Sequence, residues 1–126
     1  MENLQKEYGL YINGKWQPAS DGATFKTYSP ATGEELAVCA EATREDVDAA
    51  VKAAHAAWES WKNTTPVERA VILNKIADII DANAQHLAEV ESLDNGKPIR
   101  ETSMIDIPMS ADHFRYFAAA IRTEEG

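Results

Sequence analysis

"ESLDNGKPIRET" (residues 91–102) ends one helix and starts another at once, and that corner organises the helical part of the chain. Leu93 closes a periodic apolar pattern, Asn95-Gly96 can take the left-handed conformation that terminates a helix, and Pro98 holds Lys97 extended and blocks continuation. A new helix is expected from about Ile99, carrying Ile105, Met109, Phe114, Phe117 and Ile121. Pro108 fits it only if the helix begins near that residue or kinks there.

Working back from the corner, Thr65-Pro66-Val67-Glu68 is a capping box with proline at the first helical position. The helix it starts should run to Leu93, with Leu73, Ile76, Ile80, Leu87 and Val90 on one side and Ile72, Ile79 and Leu93 on another. Two apolar sides imply packing partners on two sides. Before it, Thr43 with Asp46 three residues on predicts a helix to about Lys62, its face made by Val47, Ala50, Val51, Ala54, Ala57, Trp58 and Trp61.

The N-terminal third has a different period. Residues 8–18 alternate around Asn13-Gly14, which tolerates the positive φ of a tight hairpin. "ATFKTYSP" and "EELAVCAEA" predict further strands joined at Pro30-Ala31-Thr32-Gly33. The fold class is therefore α/β, with an N-terminal β-hairpin and short strands followed by three α-helices. One unit over 1–126 is expected, with a β-rich segment at 8–42 and a helical segment at 43–126.

With 126 residues the chain can bury roughly two thirds of its unfolded surface. Twelve Lys plus Arg against 21 Asp plus Glu leave a net charge of −9, which disfavours nucleic acid as a partner. No apolar run approaches the ~20 residues of a membrane span, and no secretory signal pattern opens the chain. A cytoplasmic protein with no membrane partner is expected. Asn63-Thr64-Thr65 matches a glycan acceptor, but helix capping suits the threonines better.

Chemistry-bearing patterns are sparse. The six glycines form no phosphate-binding motif, and His55, His86 and His113 stand alone without a second ligand at metal spacing. Cys39 lies in the apolar strand "LAVCAEA" with no adjacent base, so a buried, inert thiol is the better reading. Glu59 and Glu89 read as solvated helix surface. The residues by themselves predict no catalytic and no cofactor-binding site.

In order along the chain, "LYINGKW", "YSPATGEELAVCAEATREDVDAAVKAAHAAWESWKN", "TPVERAVILNKIADII" and "ESLDNGKPIRET…DIPMSADHFRYFAAAIRTEEG" resemble the N-terminal quarter of NAD(P)-dependent aldehyde dehydrogenases. The run "DNGKPIRET…DHFRYFA" resembles bacterial acetaldehyde and aliphatic aldehyde dehydrogenases. The resemblance implies an oxidoreductase that converts aldehydes to carboxylic acids with NAD or NADP through a cysteine thioester. It also implies that the catalytic cysteine, the deacylating glutamate and the dinucleotide-binding motif belong to later parts of the family's chain, so the 126-residue chain alone is expected to be inactive.

The resemblance further implies a monovalent cation, Na or K, held by main-chain oxygens at Thr27 and Tyr28 and by Asp94, for which hard oxygen donors are suited. It implies an aldehyde tunnel touched by Ile105 and Met109, whose alternative is core packing. For Asp94 the alternative is helix-end capping. It implies a homo-oligomer acting on a small aldehyde, and self-association of the separate piece through the side bearing Ile72, Ile79 and Leu93 or through exchanged segments. The competing reading is a non-catalytic oligomerisation or binding module derived from this segment.

Overall fold

The computed structural model describes residues 4–123. The chain packs as two compact units, one reaching to Asn63 and one beginning at Thr64, so the first helix groups with the strands.

In the first unit, β1 (Glu7–Tyr8), β5 (Glu35–Ala40) and β4 (Thr24–Tyr28) form a sheet in the order β1-β5-β4. β1 runs parallel to β5 and β4 antiparallel. A strand as short as β1 has too few residues for its alternation to be read in the sequence. β2 (Leu10–Ile12) and β3 (Lys15–Gln17) form the expected hairpin, with Asn13 and Gly14 at φ 51° and 76°. Both positive φ values match the hairpin turn that follows the natural strand twist. The turn between β4 and β5 closes through the Gly33 N–H donating to the Ser29 carbonyl at 2.8 Å.

Helix α1 (Arg44–Trp61) begins with the expected capping box. The Thr43 hydroxyl accepts from the Asp46 N–H at 3.2 Å, and Asp46 Oδ2 accepts from the Thr43 N–H at 2.9 Å. The same oxygen accepts from the Ser20 N–H at 3.1 Å, and the Ser20 and Thr43 hydroxyls are bonded at 2.8 Å. These bonds hold the Asp46 carboxyl below the usual aspartate range, the Thr43 N–H contributing most and the Ser20 N–H next. Asp46 is buried by these contacts, a link that capping logic alone would not find.

The apolar face expected on α1 is largely uncovered. Val47 is 53% exposed, Val51 51% and Trp58 53%, while Ala50 and Ala53 are half-buried. Of the apolar residues of α1 only these alanines are even half-buried, since a helix next to a narrow hairpin has too little surface to bury the whole stripe.

In the second unit, α2 (Pro66–Ala82) starts at the predicted capping box, with Glu68 accepting from the Thr65 N–H at 2.7 Å. The single long helix expected to Leu93 breaks at Asn83, where φ is −114°. The Asn83 side chain donates to the Ile79 carbonyl at 2.8 Å, a local bond that competes with helix continuation. α3 (Ala84–Asn95) follows at once. Because the break resets the helical phase, Leu93 is half-buried, whereas Ile72 and Ile79 are exposed together with Val67 and Val71. Leu73, Ile76, Ile80, Leu87 and Val90 form the inward side, as their spacing predicts.

The third helical stretch is α4 (Ile99–Glu101), a π turn (Thr102–Asp106) and α5 (Ile107–Ala120). Pro108 at the start of α5 has no N–H for the preceding turn, and its ring would meet the carbonyl four residues back. The π turn resolves this, with the Ile107 N–H donating to the Thr102 carbonyl five residues away. α2 and α5 pack on one another, and each buries alanines, Ala70 and Ala77 on α2 and Ala111 and Ala118 on α5, small residues that let helix backbones approach closely. Arg115 on α5 bridges Asp78 at 2.8 Å and Asp81 at 2.7 Å on α2. Among the described residues no helix is long and apolar enough to cross a membrane.

Candidate functional site

The corner after α3 is closely hydrogen-bonded. Gly96 closes α3 at φ 80°, its N–H donating to the Ser92 carbonyl at 3.1 Å. The Ser92 hydroxyl donates to the Lys97 carbonyl at 2.6 Å, and the Lys97 N–H donates to Asn95 Oδ1 at 2.8 Å. Lys97 Nζ then reaches Asp106 at 2.5 Å and lies 4.0 Å from Glu91. The Asp106 hydrogen bond raises the ammonium above its ordinary range, so Lys97 is a fixed positive charge at the corner. Beneath it, the fully buried Thr102 donates to the Ala88 carbonyl at 2.9 Å, tying the π turn to the middle of α3.

Asp94 is exposed in the last turn of α3, where the outward helix carbonyls and the carboxylate together favour a cation. Thr27 and Tyr28 belong to the first unit and sit at an irregularity of the β4–β5 ladder. Thr27 pairs with Ala37 and Tyr28 with Glu35, so Leu36 is the extra residue. Such a bulge re-aims neighbouring main-chain groups. Ile105 in the π turn is 46% exposed and Met109 in the first turn of α5 49% exposed, so neither is a core residue of its unit. The core-packing alternative for this pair is thereby replaced by an open apolar surface, which Met104 extends. The Thr102–Ala88 and Lys97–Asp106 contacts are not legible in helical spacing, because each joins residues that no single helix contains.

Cys39 is half-buried, not buried as expected, because it stands on the middle strand opposite Phe25 and Tyr8 with one sheet face incompletely covered. Among the described residues it has no hydrogen-bonded base, and no group of three or more His, Cys, Asp or Glu converges as a metal cluster. His113 lines a surface depression of about 430 Å³ with Asp112, Tyr116 and Phe117, all on α5. His55 lines one of about 400 Å³ with Val51, Ala54 and Trp58 on α1. What the described residues offer is positioning and apolar surface.

A family described as "Aldehyde dehydrogenase family" matches residues 16–126. An aldehyde dehydrogenase of Rhodospirillum rubrum is 53% identical over 123 residues, covering 98% of this chain and 24% of its own. Acetaldehyde dehydrogenase 2 of Cupriavidus necator is 49% identical, over 97% of this chain and 24% of its own. Among solved structures, the NAD+ complex of aldehyde dehydrogenase from Bacillus cereus superposes with a TM-score of 0.88 at 46% identity, over 92% of this chain and 24% of its own. The chain spans about a quarter of the length of the relatives it matches.

Proposed function

The chain belongs to the aldehyde dehydrogenase family, and from that premise we propose that it is the N-terminal quarter of a cytoplasmic oxidoreductase that oxidises small aliphatic aldehydes with NAD or NADP. The observation that carries this reading is the likeness to the Rhodospirillum rubrum enzyme, 53% identity along 98% of the chain. Likeness to an acetaldehyde dehydrogenase at 49% identity and to an aldehyde dehydrogenase solved with NAD+ at 46% identity supports the substrate class and the cofactor.

In this reading the thioester chemistry and the dinucleotide site are supplied by later parts of the longer protein, and the 126 residues alone are inactive. The chain's own contribution is positional. Ile105 and Met109 offer an apolar flank to the incoming aldehyde, and Thr27, Tyr28 and Asp94 supply oxygen donors for a sodium or potassium ion. Mixed apolar exposure on α1 and α2 supports a homo-oligomeric longer protein.

The test compares two proteins: the 126-residue chain, and the same chain continued by the downstream reading frame. NADH formation from acetaldehyde is expected from the second only. Activity of the first overturns the division of labour. A longer protein that assembles but oxidises no aldehyde favours the alternative, a non-catalytic oligomerisation or binding module, for which the exposed Val67, Val71, Ile72 and Ile79 speak.

A further inference from the structure

The sequence contains Asn-Gly twice, at 13–14 and 95–96, and the structure treats the two in opposite ways. Asn-Gly is the dipeptide in which the side-chain amide is most open to attack by the following main-chain nitrogen, because glycine has no side chain to hinder the approach. Both pairs are exposed and both contain left-handed residues, so exposure does not separate them. Hydrogen bonding does.

At the second pair every reacting group is engaged. The Gly96 N–H donates to the Ser92 carbonyl at 3.1 Å, Asn95 Oδ1 accepts from the Lys97 N–H at 2.8 Å, and Asn95 Nδ2 donates to Glu91 at 3.3 Å. The Ser92 hydroxyl fastens the Lys97 carbonyl on top of them at 2.6 Å. At the first pair, among the described residues, neither the Asn13 side chain nor the Gly14 N–H has a hydrogen-bond partner. The turn is held by a hairpin of three residues per strand, Leu10–Ile12 on Lys15–Gln17. A two-stranded hairpin of that size opens readily, and opening lets the backbone rotate into the attacking geometry.

We propose that Asn13 is a site of spontaneous main-chain modification and that Asn95 is protected from it. The Gly14 nitrogen gives up its proton to hydroxide and bonds to the Asn13 side-chain carbonyl carbon. The bond from that carbon to Nδ2 breaks as Nδ2 takes a proton from water, so ammonia leaves and hydroxide is regenerated. Water then opens the cyclic imide at either carbonyl, giving an aspartyl or an isoaspartyl residue at position 13. No oxidant or other reagent is required. The product adds one negative charge to a chain already at −9, and the isoaspartyl form lengthens the turn's backbone by one methylene. The change falls beside α1, since Tyr11, Ile12, Asn13 and Gly14 share a hollow of about 390 Å³ with Ala50, Ala53, Ala54 and Ala57. Modification therefore alters how the hairpin tip rests on that helix. This inference does not depend on the catalytic reading.

The experiment incubates the folded 126-residue chain in mildly alkaline buffer and follows both tryptic peptides, 7–15 and 76–100, for the mass gain of amide-to-acid conversion and for methyltransferase labelling of isoaspartate. Conversion at Asn13 is expected to be at least about tenfold faster than at Asn95, the factor that a lost hydrogen bond or two represents. In concentrated urea the two rates should converge. Ser92→Ala should speed conversion at Asn95 and leave Asn13 unchanged, and Asn13→Gln should abolish the signal in peptide 7–15. Equal rates in the folded chain, a faster Asn95, or an Asn95 rate unmoved by Ser92→Ala would each overturn the proposal.

Discussion

The Thr102 hydroxyl donates to the Ala88 carbonyl at 2.9 Å across 14 residues of sequence, in a place where both residues are fully buried. It also lies 3.2 Å from the Ile99 carbonyl. The bond joins the π turn to α3 and so fixes the direction in which α5 leaves the corner. Thr102→Val keeps the shape and removes the donor, and is expected to cost about 1 kcal/mol, the net value of a buried hydrogen bond. Urea unfolding should give a lower midpoint with an unchanged slope, and Thr102→Ser, which retains the hydroxyl, should recover part of the loss. An unaltered midpoint for the valine variant would show the bond to be dispensable.

Gly96 stands at φ 80°, where a β-branched residue is strained. Gly96→Val should destabilise the chain by about 1 kcal/mol or more, while Gly96→Asn, a residue that tolerates the left-handed region, should cost less. Thermal unfolding of the two variants side by side checks the order, and equal losses would show that the left-handed backbone is not what the glycine is needed for.

Asp46 gives a pH dependence with a defined sign. Its carboxyl is held below the ordinary value of 3.8 by the Thr43 and Ser20 N–H groups, so the stabilisation is present above pH 3.8 and is lost as pH falls through the lowered value. Asp46→Asn should therefore be less stable than the parent at neutral pH, and the gap should narrow only below pH 3.8. A gap that is constant from pH 7 down to pH 2 would mean that the carboxylate charge plays no part.

The 126-residue chain by itself should associate, because α2 presents Val67 at 54% exposure, Val71 at 62%, Ile72 at 41% and Ile79 at 54% on its outer side. Light scattering should report a mass above the monomer that rises with concentration, and the pair Ile72→Lys with Ile79→Glu should return it toward the monomer. A monomeric mass across micromolar concentrations would contradict this.

If Ile105 and Met109 flank the aldehyde path, Met109→Trp in the longer protein should raise KM for long-chain aldehydes while leaving kcat for acetaldehyde nearly unchanged. Both residues are about half exposed, so the larger ring can be accommodated without disturbing a core. A uniform fall in kcat for every aldehyde would instead point to a general structural fault.

What the sequence alone determined is local and chemical. The capping boxes at Thr43 and Thr65, the Asn13-Gly14 hairpin and the Gly96-Lys97-Pro98 stop each satisfy their own backbone groups within a few residues, so spacing suffices to read them. The ordered segments from "LYINGKW" to "DHFRYFA" likewise carried the family, which the match over residues 16–126 bears out. Tertiary structure decided the rest. The break at Asn83 depends on one side-chain bond that helix propensity does not forecast, and it moved Leu93 away from Ile72 and Ile79. The π turn before Pro108 and the burial of Thr102 depend on where α3 lies, as the burial of Asp46 depends on Ser20. Whether an apolar stripe becomes core or surface is likewise settled by how much partner surface meets it. On α1 the period pointed to Val47, Ala50, Val51, Ala54, Ala57, Trp58 and Trp61, yet of these only Ala50 is half-buried, with Ala53 outside that set beside it, because burial is a property of two surfaces and the sequence of one helix describes one of them.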